Sequence, residues 1–161
     1  MEIKSRLIPI LRLSFAKYNP TQKVRDNKLY KKIKGEIGNS GTVPVSSIKI
    51  YFNYGNTKPK DLSEIIKNQQ YWREFGLSDD LGTIIPNSWK PFVIQEFQFD
   101  ETAENRLWVV MWFEYKFLEK FSENCIFVFN VNGESVDEDQ IIYYSNSDIE
   151  EQKKSPKTDG F

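Results

Sequence analysis

The sequence predicts an α+β fold, with a curved antiparallel sheet of about four to six strands packed against N-terminal helices and one capped helix. Three observations lead there. From Phe92 to Tyr144 the apolar residues recur every second position, are dense in aromatics, and reach an Asn132-Gly133 hairpin signal. Residues 61–75 carry a helix start, an apolar stripe at helical spacing and a closing Gly76. Residues 20–34 follow Asn19-Pro20, a cap with proline in the first helical position, and hold a sparse stripe of Val24, Leu29 and Ile33. Residues 1–145 are expected to form a single domain, followed by a polar, flexible tail over 146–161.

Taken in chain order, residues 3–15 fit a helix through Ile3, Leu7, Ile8 and Leu11 and a strand through Leu11, Leu13 and Phe15, with Pro9 weakening the helix. After the expected helix at 20–34, Gly35, Gly38 and Gly41 read as breaks. A strand is expected over 43–54, where Ile48, Ile50, Phe52 and Tyr54 alternate with Lys49, Tyr51 and Asn53. Asp61 and Glu64 then form a capping box ahead of Leu62, Ile65, Ile66, Trp72 and Phe75. Pro86 and Pro91 bracket a turn around Trp89. Strands follow over 92–99, 107–117 and 125–131, with Leu118 to Asn124 joining the last two, and a final strand near 140–144.

Twelve Phe, eight Tyr and four Trp in 161 residues can fill a core with few side chains, since each ring buries roughly 150–250 Å². The net charge of −1 hides an imbalance: residues 1–40 carry +7 and the remainder −8. The seven acids between Glu134 and Glu151 meet no Lys or Arg. Such a split either neutralises itself in the fold or marks an anionic partner for the front. One cysteine cannot close an internal disulfide, so the expected setting is reducing and cytoplasmic. No apolar run approaches a membrane span, and Arg12 ends the stretch Leu7-Ile8-Pro9-Ile10-Leu11 too early for a signal peptide.

With no histidine, Cys125 has no activating base of the usual kind and reads as a buried, inert thiol. Asp137, Glu138 and Asp139 lack the spacing and glycine of a calcium loop, and no metal or cofactor is expected. The segment from Gly35 to Thr42 lacks the lysine of a phosphate loop. Both faces of 107–117 and 125–131 are apolar, so both are expected to be covered. The helices could cover one; the other then falls to a dimer contact, a protein partner, an internal pocket or the core itself.

Three functions follow. The first is a non-catalytic binding protein, of an immunity or accessory type, that presents Trp108, Trp112 and Tyr115 to a protein partner or its own copy. The second is a pocket-type isomerase or lyase with Glu114 or Glu96 as base and Tyr115 or Tyr51 as hydrogen-bond donor. The third is an RNA-binding accessory protein acting through the basic segment, with Lys23, Arg25, Lys28, Lys31, Lys32 and Lys34 around Tyr30.

The run Asn124-Cys125-Ile126-Phe127-Val128-Phe129-Asn130-Val131-Asn132-Gly133-Glu134, with Ile141-Ile142-Tyr143-Tyr144, resembles the last two strands and turn of the nuclear-transport-factor-2-like superfamily, which includes ketosteroid-isomerase-like and polyketide-cyclase-like proteins. The resemblance covers residues 43–145 and is one of architecture. It implies a cone whose open end forms a pocket, often with a dimer across the sheet. Enzymes of that group use an Asp or His in the pocket, and this chain has no His.

Overall fold

Asp26 and Asn27 turn the chain back on itself with φ of 51° and 62°. Two adjacent residues in the left-handed region make the tight hairpin turn whose twist matches paired strands, and Asp and Asn are the non-glycine residues that best tolerate it. The flanking residues are therefore strands: β2 (Thr21–Arg25) pairs antiparallel with β3 (Lys28–Asn39). This corrects the helix expected over 20–34. Gly35 and Gly38 lie inside β3 and do not break it.

The computed structural model describes residues 7–17, 20–68, 73–74, 81–99, 106–132 and 134–154. Among them, β1 (Leu11–Ser14), β2 and β3 join β6 (Ser88–Phe99) in a four-stranded sheet. One edge of β3 pairs with β6, and the other is shared by β1 and β2. The second sheet has six strands. Its order runs from β5 (Arg73–Glu74) through β4 (Ser46–Gly55), β7 (Arg106–Phe117) and β8 (Phe121–Asn132) to β10 (Ile142–Tyr144), with β9 (Ser135–Val136) also on β8. Every pairing between these strands is antiparallel. The fold is α+β and dominated by antiparallel strands, but the N-terminal layer is a sheet, where N-terminal helices and a cone were expected.

The two sheets face each other across one core. Leu29, Ile33 and Ile37 of β3 and Phe92 and Ile94 of β6 meet Val109, Met111 and Phe113 of β7 and Cys125, Phe127 and Phe129 of β8. Phe15 bridges the layers, its ring 4.9 Å from Phe129 and 6.1 Å from Phe92. Gly35 is bare because a β-carbon there would meet both Phe15 and Phe92 at 2.8 Å. Glu138 adds a polar tie, accepting from the Phe15 N–H and from Ser14 Oγ.

The outer face of the six-stranded sheet is covered as well. Helix α1 (Leu62–Lys67) brings Leu62 and Ile65, and α2 (Asn146–Lys154) brings Ile149, onto Val110, Trp112, Ile126 and Val128. Asp61 caps α1 by accepting from the Glu64 N–H at 3.0 Å, as the sequence indicates. The helix does not continue to residue 75, since Arg73 and Glu74 pair with β4. Residues 146–154, expected as part of a tail, instead form α2, whose Ile149 is fully buried. Both apolar faces of β7 and β8 are thus used internally, one by the opposite sheet and one by two short helices.

Asn39 locks the end of the first sheet. It is buried, and its Nδ2 donates to the Val43 and Ile84 carbonyls at 2.8 and 3.0 Å. Its Oδ1 accepts from the Gly41 and Ile10 N–H groups at 2.9 and 3.2 Å. Four backbone groups in three chain segments are satisfied by one side chain, so the crossing from β3 to β4 needs no water.

Candidate functional site

The outer face of the four-stranded sheet is the large surface that neither helix covers. Its character follows from alternation along β3. Leu29, Lys31, Ile33, Gly35 and Ile37 point inward and are buried, which turns Tyr30, Lys32, Lys34, Glu36 and Gly38 outward. Register adds neighbours on the same face. Thr21 lies beside Lys32, Lys23 beside Tyr30 and Arg25 beside Lys28. Arg12 lies beside Gly38, and β6 contributes Val93 beside Lys34, Pro91 beside Glu36 and Trp89 beside Gly38.

Thr21, Lys23, Tyr30, Lys32 and Lys34 enclose a hollow of about 240 Å³. Three ammonium groups share it, and none of the three has an ion-pair partner among the described residues. Glu36, the acid on this strip, is held 3.8 Å from Lys17. The Arg25 guanidinium stacks over the Tyr30 ring at 4.4 Å from its centroid. At the other end of the strip the Trp89 indole lies on Gly38 and is 44% exposed. The face is thus a row of cations with an aromatic group at each end. The opposite side of the molecule carries Asp61, Glu64, Asp148, Glu150 and Glu151 on or beside α1 and α2.

The residues singled out in the sequence go to different places. Lys32 is in the basic hollow and Lys28 is exposed beside it at the hairpin turn. Lys31 points the other way, is wholly buried between the sheets, and has its pKa lowered by burial, with the Glu134 charge opposing. It cannot reach a partner on the basic face. Trp112, expected as an exposed anchor, is 2% exposed beneath α2. Its indole Nε1 donates to Asn124 Oδ1 at 2.9 Å, and Lys153 Nζ sits 5.6 Å from its ring. Trp108 is half-buried, with Lys58 Nζ 5.5 Å from its ring, and lines a hollow of about 140 Å³ with Tyr54, Glu64, Asn68 and Val110.

Tyr115 faces the inter-sheet core and is buried. It is hydrogen-bonded to Glu123, and burial pushes its phenol far above the usual range. Burial also raises the Glu123 carboxyl, with the Tyr115 hydrogen bond opposing, and pushes the Cys125 thiol upward. Glu114 is half-buried on the helix-covered side of β7, in register with Lys49. Glu96 belongs to the other sheet, at the irregularity in β6 opposite Lys32, and its side chain lies outside the described residues. Glu114 and Glu96 thus belong to strands of different sheets. Among the described residues no three His, Cys, Asp or Glu side chains are grouped to hold a metal ion, and no helix is long and apolar enough to cross a membrane.

The sequence groups Lys23 and Lys34 in the basic segment, but as a helix and without Trp89. The signal was present in the alternation of Tyr30, Lys32 and Lys34. It was masked because Lys31 and Gly35 interrupt the inward set, leaving Leu29, Ile33 and Ile37 at the four-residue spacing of a helix.

Compared with known proteins, the sequence matches no family model and no curated protein.

Proposed function

We propose that this chain is a non-catalytic binding protein whose basic sheet face holds a polyanionic partner. The observation that supports it is the convergence of Lys23, Lys32 and Lys34 on one outward hollow with Thr21 and Tyr30. Three cations this close repel one another, which costs stability unless a ligand brings negative charge to them. A polyanion does so and releases its own counterions on binding, a gain in entropy. The aromatic face of β7 does not serve this role, because Trp112 and its neighbours are occupied by α1 and α2. Glu114 lines neither of the two hollows described above, so they give it no pocket in which to act as a base. Nothing in the binding reading requires the pocket that the nuclear-transport-factor-2-like resemblance implies.

Heparin is a suitable first probe, being a polyanion without bases. The native protein should retain it at low salt and lose it steeply as salt rises. The triple variant Lys23→Gln, Lys32→Gln, Lys34→Gln should bind at least about ten-fold more weakly, with a shallower salt dependence. Salt-indifferent binding, or a triple variant that binds as the native protein does, would remove the basis of this function.

A further inference from the structure

We infer that the polyanion is a single-stranded nucleic acid, with phosphates along Lys23, Lys32 and Lys34 and bases stacked on Trp89 and on the Arg25–Tyr30 pair. This rests on the polyanion reading and adds the chemistry that separates one polyanion from another.

The geometry of Trp89 carries the inference. The atoms nearest the position of a β-carbon on Gly38 are Cδ2, Cε3 and Cε2 of the indole, at 2.5, 2.6 and 2.8 Å. These are atoms at and beside the ring fusion, so the indole rests on the strand with one broad face down. Trp89 as a residue is 44% exposed, and with one broad face on the strand the opposite face is the side left for that exposure. An outward-facing indole offers a platform to any flat π-system, and every nucleobase has one. At the far end of the strip, Arg25 and Tyr30 form a second stacked group, and guanidinium planes also accept bases.

Spacing fits a strand of several nucleotides. Tyr30 and Gly38 lie on the same strand, eight residues apart, which is about 26 Å at roughly 3.3 Å per residue. Lys32, Lys34 and Glu36 occupy the interval on the outward side, with Glu36 3.8 Å from Lys17, and Lys23 lies across from Tyr30. Val93 and Pro91 of β6 border the same interval with apolar surface. Cations in the middle and planes at the ends suit a chain whose charge lies on its backbone and whose bases are free to turn aside. A duplex keeps its bases paired and stacked on each other, so it could use the lysines but not the indole. An acidic peptide would likewise use the cations and leave the stacking groups unengaged.

Fluorescence anisotropy on the native protein tests this with four probes: labelled oligo-dT and oligo-U of about 12 nucleotides, a duplex of the same length, and polyglutamate. At least one single strand should bind about ten-fold more tightly than the duplex or polyglutamate. Trp89→Ala should weaken single-strand binding by about ten-fold, and by more than it weakens heparin binding. Trp89→Leu, which still covers Gly38 but offers no plane, should show the same selective loss and guards against a folding defect in the alanine variant. If duplex or polyglutamate binds as tightly as the single strands, or if Trp89→Leu affects heparin and single strands equally, the nucleic-acid inference falls while the polyanion reading stands. If heparin also fails to bind, both fall.

Discussion

The indole of Trp89 stands where the side chain of residue 38 would be, and Gly38 is the residue that permits it. The pair sits on β6 and β3 at adjacent register positions, so the glycine and the ring are two halves of one surface feature. Gly38→Ala should push the indole off the strand. Because the ring borders solvent it can swing away, and the cost should be about 1 kcal/mol in urea unfolding. The clearer signature is spectroscopic: loss of near-ultraviolet circular dichroism and easier quenching of tryptophan fluorescence by iodide.

Gly35 is the inward counterpart on the same strand. A methyl group there meets Phe15 and Phe92, which are themselves buried between the layers. Gly35→Ala should therefore cost more than Gly38→Ala, about 2–3 kcal/mol, since neither ring has solvent to move into. Urea unfolding of the two variants side by side checks the order.

Ile149 is the fully buried residue of α2 and lies over Trp112, Ile126 and Val128. Ile149→Ala should destabilise by about 2–4 kcal/mol. Ending the chain after Ser145 should uncover that apolar face, measured as binding of a hydrophobic dye and a shift to larger species in size-exclusion chromatography.

Asn39→Ala removes a side chain that satisfies four backbone groups. Some regain water at the sheet end, and those that remain buried cost about 1–3 kcal/mol each. A loss of about 2–4 kcal/mol is expected in thermal or chemical unfolding, with faster hydrogen exchange at the Gly41 amide.

Alkaline pH should weaken the fold. Tyr115, Tyr143 and Cys125 have pKa values raised by burial above their ordinary 10.0, 10.0 and 9.0. The folded state then holds protons that the unfolded chain releases, so stability present below about pH 9 is lost as pH rises past it. Lys31 acts in the opposite sense: its lowered folded value means the unfolded chain binds the proton more tightly, and its share of stability grows toward its ordinary 10.5. Urea midpoints followed from pH 8 to pH 11 should fall for the native protein. They should fall less for Cys125→Ala, and more for Lys31→Met, which lacks the opposing group.

Much of the second half was legible because its pattern has one interpretation. Strands 107–117 and 125–131 recur within β7 and β8, the return near 140–144 appears as β10, and Asp61 caps its helix. Long period-two runs of aromatic and β-branched residues fit a pleated surface and nothing else. The first half misled for a local reason. A buried lysine and a buried glycine on β3 erased the alternation, and a turn built from Asp26 and Asn27 lacks the glycine that usually marks a hairpin.

By itself, the sequence determined that β7 and β8 would be covered on both faces and that positive charge would gather at the front of the chain, since composition and period are properties of the chain alone. What covers those faces was decided only in three dimensions, because a sheet partner and a pair of helices bury apolar surface equally well. Which lysines act together was also decided there. Alternation sends Lys31 into the core and Lys32 to the surface, and the pairing of β2 with β3 sets Lys23 beside Tyr30, within the hollow that Lys32 and Lys34 share. A one-residue change of register would exchange the two faces, and no composition records which register the chain adopts.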